Sequence, residues 1–222
     1  MRFNINLFRF IQRLRHAHGF SVHSPFAFDL ILNTIHSPHS YYIFEDNKRE
    51  IDKARLTKEA DFKFAELLFR LINRFKAKDI LEIGSGFGIN TLYIRAHSKQ
   101  TTVYCIEKDK RRLKIAQQLL VNKNEKIMFI DLLHNENKKV DAVIWDLNLY
   151  PLQSEETLSI IESSIKEEGF IIVKGINRSR NNKHLWQEAC NLKGLTMSFD
   201  LGSVGIGFFK PSLPKLNYDV YF

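Results

Sequence analysis

Apolar residues along the chain fall into two regimes. Up to about residue 76 they recur three or four positions apart, the spacing of helices that bury one face. Phe3, Leu7, Phe10, Ile11 and Leu14 form one such stripe, with Arg2, Arg9 and Arg13 on another face. Gly19 interrupts it. Ser24-Pro25 then reads as a helix cap followed by proline in the first turn, where a missing N–H costs nothing. Phe26, Leu30, Ile31 and Ile35 continue that helix, and the polar stretch 45–58 predicts an exposed one. Phe64, Leu67, Leu68, Leu71, Ile72 and Phe75 make the strongest stripe and predict a helix packed on a sheet.

From residue 78 onward, short apolar runs alternate with helical patterns, which predicts a parallel sheet with crossover helices. Strands are expected at 79–83, 102–106, 126–130, 140–145 and 170–174. Helices are expected near Asn90, from about Asp109, and over 153–166 and 180–191. The last two strands, 195–200 and 204–210, are separated only by Leu201, Gly202 and Ser203. So short a connection permits a hairpin and forbids a parallel crossover. The expected organisation is a helical extension or lid over 1–76, packed on an α/β domain over 77–222.

The chemistry concentrates at Glu82-Ile83-Gly84-Ser85-Gly86-Phe87-Gly88, which follows the first strand and opens a helix. Glycines there let the chain turn sharply and let a ligand approach the backbone. Glu107 ends the next strand, where a carboxylate can accept both hydroxyls of a ribose. The G-x-G-x-G spacing differs from the G-x-G-x-x-G of dinucleotide sites. Glu82 beside the loop would repel a pyrophosphate and suits the ammonium of a methionyl group, directly or through water. The bland alternative is a glycine turn that binds nothing. Agreement between strand, loop, helix and acid weighs against it.

With these residues, the segment 64–210 resembles the class I S-adenosylmethionine-dependent methyltransferases. The resemblance implies a Rossmann-like α/β fold, with a seven-stranded mixed sheet that is parallel apart from an antiparallel final hairpin, flanked by helices. It implies S-adenosyl-L-methionine as cofactor, with Glu82, Gly84, Ser85, Gly86 and Gly88 cradling the methionine part and Glu107 holding the ribose. It places Asp131, with Leu132 beside it, at the adenine amino group, and Asp146 at the mouth of the site. Outside the core, the run His16 to Phe28, containing His18-Gly19 and His23-Ser24-Pro25-Phe26-Ala27-Phe28, resembles the N-terminal signature of a bacterial O-methyltransferase-like group. The ending Phe199-Asp200-Leu201 through Gly205 to Lys210 resembles that group's final hairpin.

One departure from the pattern bears on mechanism. Catechol-type members bind a divalent cation with an acid after the fourth strand and an acid pair, or Asp-Asn, after the fifth. Asp146 fits the first position, but the second reads Lys174-Gly175, and an ammonium repels a metal ion. No metal site is expected. The candidates for catalysis are Asp146, Lys174 and His23. Lys174 reads either as a surface lysine at a strand end or as part of the site. His16, His18 and His23 match no zinc spacing and have no cysteine nearby, so hydrogen-bonded structural histidines are expected. A substrate-facing His23 is the functional variant, since imidazole accepts a proton near neutral pH. Trp145 and Trp186 read as core residues. The stretch Asp146-Leu147-Asn148-Leu149-Tyr150 lacks the paired prolines with which amino-methyltransferases hold a flipped base.

Composition adds less. A net charge of +8 suits a nucleic-acid partner or an acidic substrate, and equally an ordinary solvated surface, and no nucleic-acid motif stands out. Two cysteines far apart read as buried thiols of a cytoplasmic protein. No apolar run has the length of a membrane span, and the arginines of the first segment argue against a secretory leader. The function expected is methyl transfer to oxygen or nitrogen of a small-molecule acceptor. The alternatives are a cofactor-binding protein without turnover, an RNA methyltransferase using the basic N-terminal region, and a peripheral membrane enzyme anchored by the Arg- and Phe-rich first helix. Nothing in the pattern specifies an oligomeric state.

Overall fold

A computed structural model of the chain describes residues 11, 13–121, 126–130, 138–150 and 154–222, without the side chains of 154–156. Asp131 and Leu132 lie outside the described residues. Residues 13–17 are helical. Helix α1 runs over Pro25–Leu30, where Ser24 accepts the Ala27 N–H as the cap, and it continues into a π-helical turn at Ile31–Ile35. Then come α2 (Tyr42–Lys53), α3 (Phe62–Phe75), β1 (Asp79–Ile83), α4 (Ile89–Ala96), β2 (Thr102–Ile106) and α5 (Lys110–Leu119). The chain continues through β3 (Ile127–Phe129), β4 (Val140–Asp146), α6 (Ser154–Ser164), β5 (Ile165–Lys174) and α7 (Arg180–Cys190). It ends with β6 (Met197–Asp200), β7 (Val204–Phe208) and β8 (Leu216–Asp219).

The sheet order is β3-β2-β1-β4-β5-β7-β6-β8. The first five strands pair in parallel, β7 runs antiparallel to both β5 and β6, and β8 runs parallel to β6. This is the expected Rossmann-like mixed sheet with its antiparallel hairpin, extended from seven strands to eight. The eighth strand was hidden because it is short and at the edge, with only Tyr218 buried among its four residues. Strand β5 starts at Ile165, inside the stretch expected as helix, after a register irregularity between Val140 and Ala142.

Alternate residues of the central strands face two layers. Ile80, Ala142, Ile144, Phe170 and Ile172 pack with α1 and α3, while Leu81, Val143, Trp145, Ile171 and Val173 pack with α6 and α7. The stripe on α3 is buried from Phe64 to Ile72 as its spacing predicts. Helix α2 departs from expectation. Phe44, Asn47 and Ile51 are buried against Phe69 and Tyr93, so it covers α3 and α4 with one face instead of standing exposed.

The N-terminal residues dock on the hairpin side of the sheet. Arg13 Nη2 donates to Asp200 Oδ1 at 2.9 Å, and His16 Nδ1 lies 2.7 Å from the Asp219 carbonyl. Phe26 packs edge-on against Phe208 at 5.1 Å. Ala17, Ala27, Leu30, Ile31 and Ile35 join the main core. No helix among the described residues is long and apolar enough to cross a membrane.

Candidate active site

Strand β1 has β2 on one side and β4 on the other, and the chain leaves it in one direction and returns in the other. Open parallel sheets bind ligands at such a switch point, beyond the carboxyl ends of the strands. The glycine loop and Asp146 both stand there. Gly84 adopts φ +83°, and a Cβ on it would meet the Asp146 carbonyl and the Leu149 and Tyr150 side chains at 3.2–3.3 Å. Only glycine lets β1 turn this closely under the β4 loop.

Two clefts flank the loop. One, of about 360 Å³, is lined by Ser85, Gly86, Asn90, Asp146, Lys174 and Arg178, with Glu59 and Asp61 on its rim. The other, of about 370 Å³, is lined by Ile106, Glu107, Phe129, Ile130 and Tyr150, among others. The first is rich in charge, and the second combines apolar side chains with the charged Glu107 and Lys108.

Glu82 is buried beneath the loop. Its Oε2 accepts the Thr91 hydroxyl at 2.6 Å, while Oε1 has no hydrogen-bond partner among the described residues. Burial pushes its carboxyl up to about 7, against the opposing Thr91 and Cys105 bonds. The hydroxyl of Ser85 and Oδ1 of Asn148 are likewise buried without a partner. Glu107 is tied to the protein. Oε2 accepts the Gly86 N–H at 2.8 Å, and Oε1 accepts the Asp109 N–H at 2.8 Å and the Arg112 guanidinium at 3.0 Å. A carboxylate offers about four acceptor directions. Three are filled, so a ribose gripped through both hydroxyls would have to displace one of these contacts.

Asp146 ends β4, buried, with Oδ1 accepting the Asn148 N–H at 2.9 Å. Burial pushes its carboxyl above the usual carboxylate value, and the nearby Lys174 ammonium opposes this. Lys174 is its direct register partner on β5. The Lys174 ammonium lies 3.1 Å from Asp61 Oδ2 and 4.6 Å from the centre of the Phe64 ring. Its side chain is only 21% exposed, so it belongs to the cleft rather than to the open surface. Gly175 takes φ +83° and packs on Asn148, whose side-chain atoms would lie 2.6–2.9 Å from a Cβ. A side chain at 175 would therefore need left-handed backbone and a shift of the Asn148 side chain. Among the described residues no three His, Cys, Asp or Glu side chains gather where a metal ion could be held.

The structure thus brings Glu82, Gly84, Ser85, Gly86, Gly88, Glu107, Asp146 and Lys174 to one end of the sheet. His23 stands apart. It is exposed just before α1 and lines neither cleft. His16 is structural, on the Asp219 carbonyl. Trp145 is fully buried and donates to the Tyr150 carbonyl at 3.1 Å, so it is a core residue, as is Trp186, which packs against Gly205. None of the described residues of 1–40 lines either cleft. Their apolar faces are taken up by the sheet, and among the described residues of the first 76 only Glu59 and Asp61 reach the charged cleft. Asp61, the cap of α3 through the Phe64 N–H at 3.1 Å, was legible as a cap but not as the partner of Lys174. Arg112, Thr91 and Asn148 carried no signal beyond ordinary helix and loop positions.

Residues 56–163 match the family model described as methyltransferase small domain. Among solved structures, a Staphylococcus aureus protein assigned as a caffeoyl-CoA O-methyltransferase is 21% identical, covering 80% of this chain and 96% of its own, with a TM-score of 0.61. A Geobacter sulfurreducens methyltransferase is 14% identical over 77% of this chain and 91% of its own, with a TM-score of 0.58. A Bacillus cereus O-methyltransferase, in complex with SAH, is 15% identical over 77% and 92%, with a TM-score of 0.56. None of the curated proteins compared with the chain matches it. That match covers a little under half of the chain, and the solved structures share its fold.

Proposed function

We propose that the chain transfers a methyl group from S-adenosylmethionine to an oxygen atom of a small-molecule acceptor, without a catalytic metal. The observation that carries this reading is the set of three buried, unpartnered polar atoms, Glu82 Oε1, Ser85 Oγ and Asn148 Oδ1, around a glycine loop at the switch point of the sheet. A buried polar group without a partner costs about 1–3 kcal/mol, and a polar ligand against the loop removes that cost. The methionyl end of the cofactor fits this donor and acceptor set. Glu82 would accept from its ammonium, Glu107 from the ribose, and the cleft of Ile106, Phe129, Ile130 and Tyr150 would take the adenine.

The sulfonium supplies an electrophilic methyl group. The residues of the chain have two tasks: to hold the acceptor oxygen in line with that methyl and to manage its proton. The charged cleft borders Ser85 and Gly86 and is the natural place for the acceptor. Asp146 is the group there best suited to take a proton, because burial has raised its basicity. Metal independence rests on Lys174 and on the absence of a side chain at Gly175, which sits on left-handed backbone. Transfer to oxygen agrees with the names borne by two of the similar structures.

The test has two parts. Calorimetry with S-adenosylhomocysteine should show binding to the folded protein. Methylation of a metabolite pool with labelled cofactor should proceed in EDTA and gain nothing from Mg²⁺. Absence of cofactor binding would overturn the reading, and dependence on added Mg²⁺ would overturn its metal-free form.

A further inference from the structure

We infer that Lys174 is a catalytic residue whose ammonium stabilises the ionised acceptor oxygen, the task a divalent cation performs in catechol-type enzymes. This rests on the methyltransferase reading above and goes beyond it by assigning a role and a limit on the acceptor.

The position is unusual for a lysine. It ends a central strand, in direct register with Asp146, inside the cleft that borders the glycine loop. Its only ion-pair partner among the described residues is Asp61, at 3.1 Å, whose side chain is 48% exposed. A pair this exposed adds little stability, so packing alone does not account for drawing the ammonium into the cleft. Phe64 beneath it and Asp61 beside it hold the side chain on one side. An ammonium has three N–H donors. Asp61 takes one, which leaves donors for a second acid and for an acceptor oxygen. The other charged groups of the cleft are Asp146, Glu59 and Arg178.

The reaction balances on these groups. The acceptor hydroxyl gives its proton to the Asp146 carboxylate, and the oxygen, held by Lys174, takes the methyl group as the sulfonium S–C bond breaks. A methyl ether and a neutral thioether leave, and Asp146 returns its proton to water.

The size of the effect limits the acceptor. An opposite charge within contact shifts a pKa by about 1–3 units. A phenol-like hydroxyl near pKa ~10 is thereby brought within reach of neutral pH. A hydroxyl as weakly acidic as water is not. The acceptor is therefore a hydroxyl of phenolic acidity.

The experiment uses 4-nitrophenol, whose ionised form absorbs in the visible, with the full-length protein and saturating S-adenosylhomocysteine. The bound phenol is titrated spectroscopically in the wild type, Lys174→Gln and Lys174→Arg. The wild type should bind it as phenolate, with an apparent pKa at least about one unit below that of the free probe. The Gln variant should lose this shift, and the Arg variant should keep most of it. Melting and S-adenosylhomocysteine affinity should be near wild type in both variants. If the Gln variant unfolds, the Arg variant against the wild type still decides, since a charge role predicts that the shift is kept. A wild type that leaves the phenol neutral or unbound, a Gln variant that retains the shift, or a folded Arg variant that loses it overturns the role. Failure of S-adenosylhomocysteine to bind the wild type overturns instead the reading on which it rests.

Discussion

Strands β4 and β5 carry an acid and a lysine at each end, and the two ends behave oppositely. At the amino end of β4, Asp141 accepts the backbone N–H groups of Lys78 and Asp79 at 2.7 and 2.9 Å and pairs with Lys166 at 2.8 Å. These donors hold its carboxyl below the usual range, against the effect of partial burial. At the carboxyl end, Asp146 has burial as the dominant influence, and its carboxyl is pushed up despite Lys174. The residue types are the same, but Asp146 is more deeply buried, and the direct lysine bond that Asp141 makes has no counterpart at Asp146 among the described residues. The lower pair is saturated with hydrogen bonds and serves the fold. The upper pair keeps a deeply buried acid with a raised carboxyl beside a cleft, which suits proton transfer.

The N-terminal helices belong with the lower end in this division, and removing them should give the largest effect. Deleting residues 1–40 strips Ala17, Ala27, Leu30, Ile31 and Ile35 from the main core. Burying a large aliphatic side chain contributes about 1.5–3 kcal/mol, so the loss rivals the 5–15 kcal/mol that holds a typical domain together. The expected product is unfolded or aggregated, as read by circular dichroism and size exclusion. A folded, cofactor-binding protein that fails only in transfer would restore the lid.

Next in size is Asp146→Asn. It should lower methyl transfer about 10²–10⁴-fold, the usual worth of a general base, while the protein melts no lower than wild type. The sign follows from the raised carboxyl. Its contribution to stability is fully present below the ordinary carboxylate value and is lost as pH rises through the raised one, so at neutral pH the wild type bears a strain that asparagine removes. Transfer within threefold of wild type would end the assignment of Asp146 as base.

Glu107→Ala removes the anchor of Gly86 as well as the proposed ribose partner. Charge-assisted hydrogen bonds are worth about 1.5–3 kcal/mol, so S-adenosylhomocysteine affinity should fall roughly 10–100-fold by calorimetry. Unaltered affinity would mean that the carboxylate serves only the loop.

The smallest effect, and the sharpest test of the comparison, is Asp141→Asn. It should lower the melting midpoint by a few degrees at neutral pH and leave transfer unchanged. A depressed carboxyl contributes stability above its unfolded value and loses it as pH falls through its folded one, so the two melting curves should converge in acid. Unchanged melting at neutral pH would deny the lower pair its structural role.

The sheet was legible because buried parallel strands leave apolar runs that turn residues punctuate. The glycine loop was legible because Gly84 requires a positive φ at a fixed place after a strand. The residues missed are those whose meaning comes from distant partners. Lys174 looked like a surface lysine until the fold brought it to Asp61, more than a hundred positions earlier in the chain. Glu107 looked free for a ribose until Arg112 and Gly86 were seen to hold it. Strand β8, after Pro211 and Pro214, presents one buried side chain and therefore no periodicity to read.

The packing of Gly175 on Asn148 has a consequence for how this site could change. Replacing Lys174 with aspartate would not by itself rebuild a cation centre, because the neighbouring ligand would need a side chain at 175. Any such side chain meets the Asn148 amide within 3 Å and sits on left-handed backbone. Positions 174 and 175 would have to change together, with the Asn148 side chain moving aside and residue 175 holding a side chain on left-handed backbone. The two chemistries are separated by more than one substitution, and engineering a metal-using form would have to begin at the left-handed backbone of residue 175 rather than at the lysine.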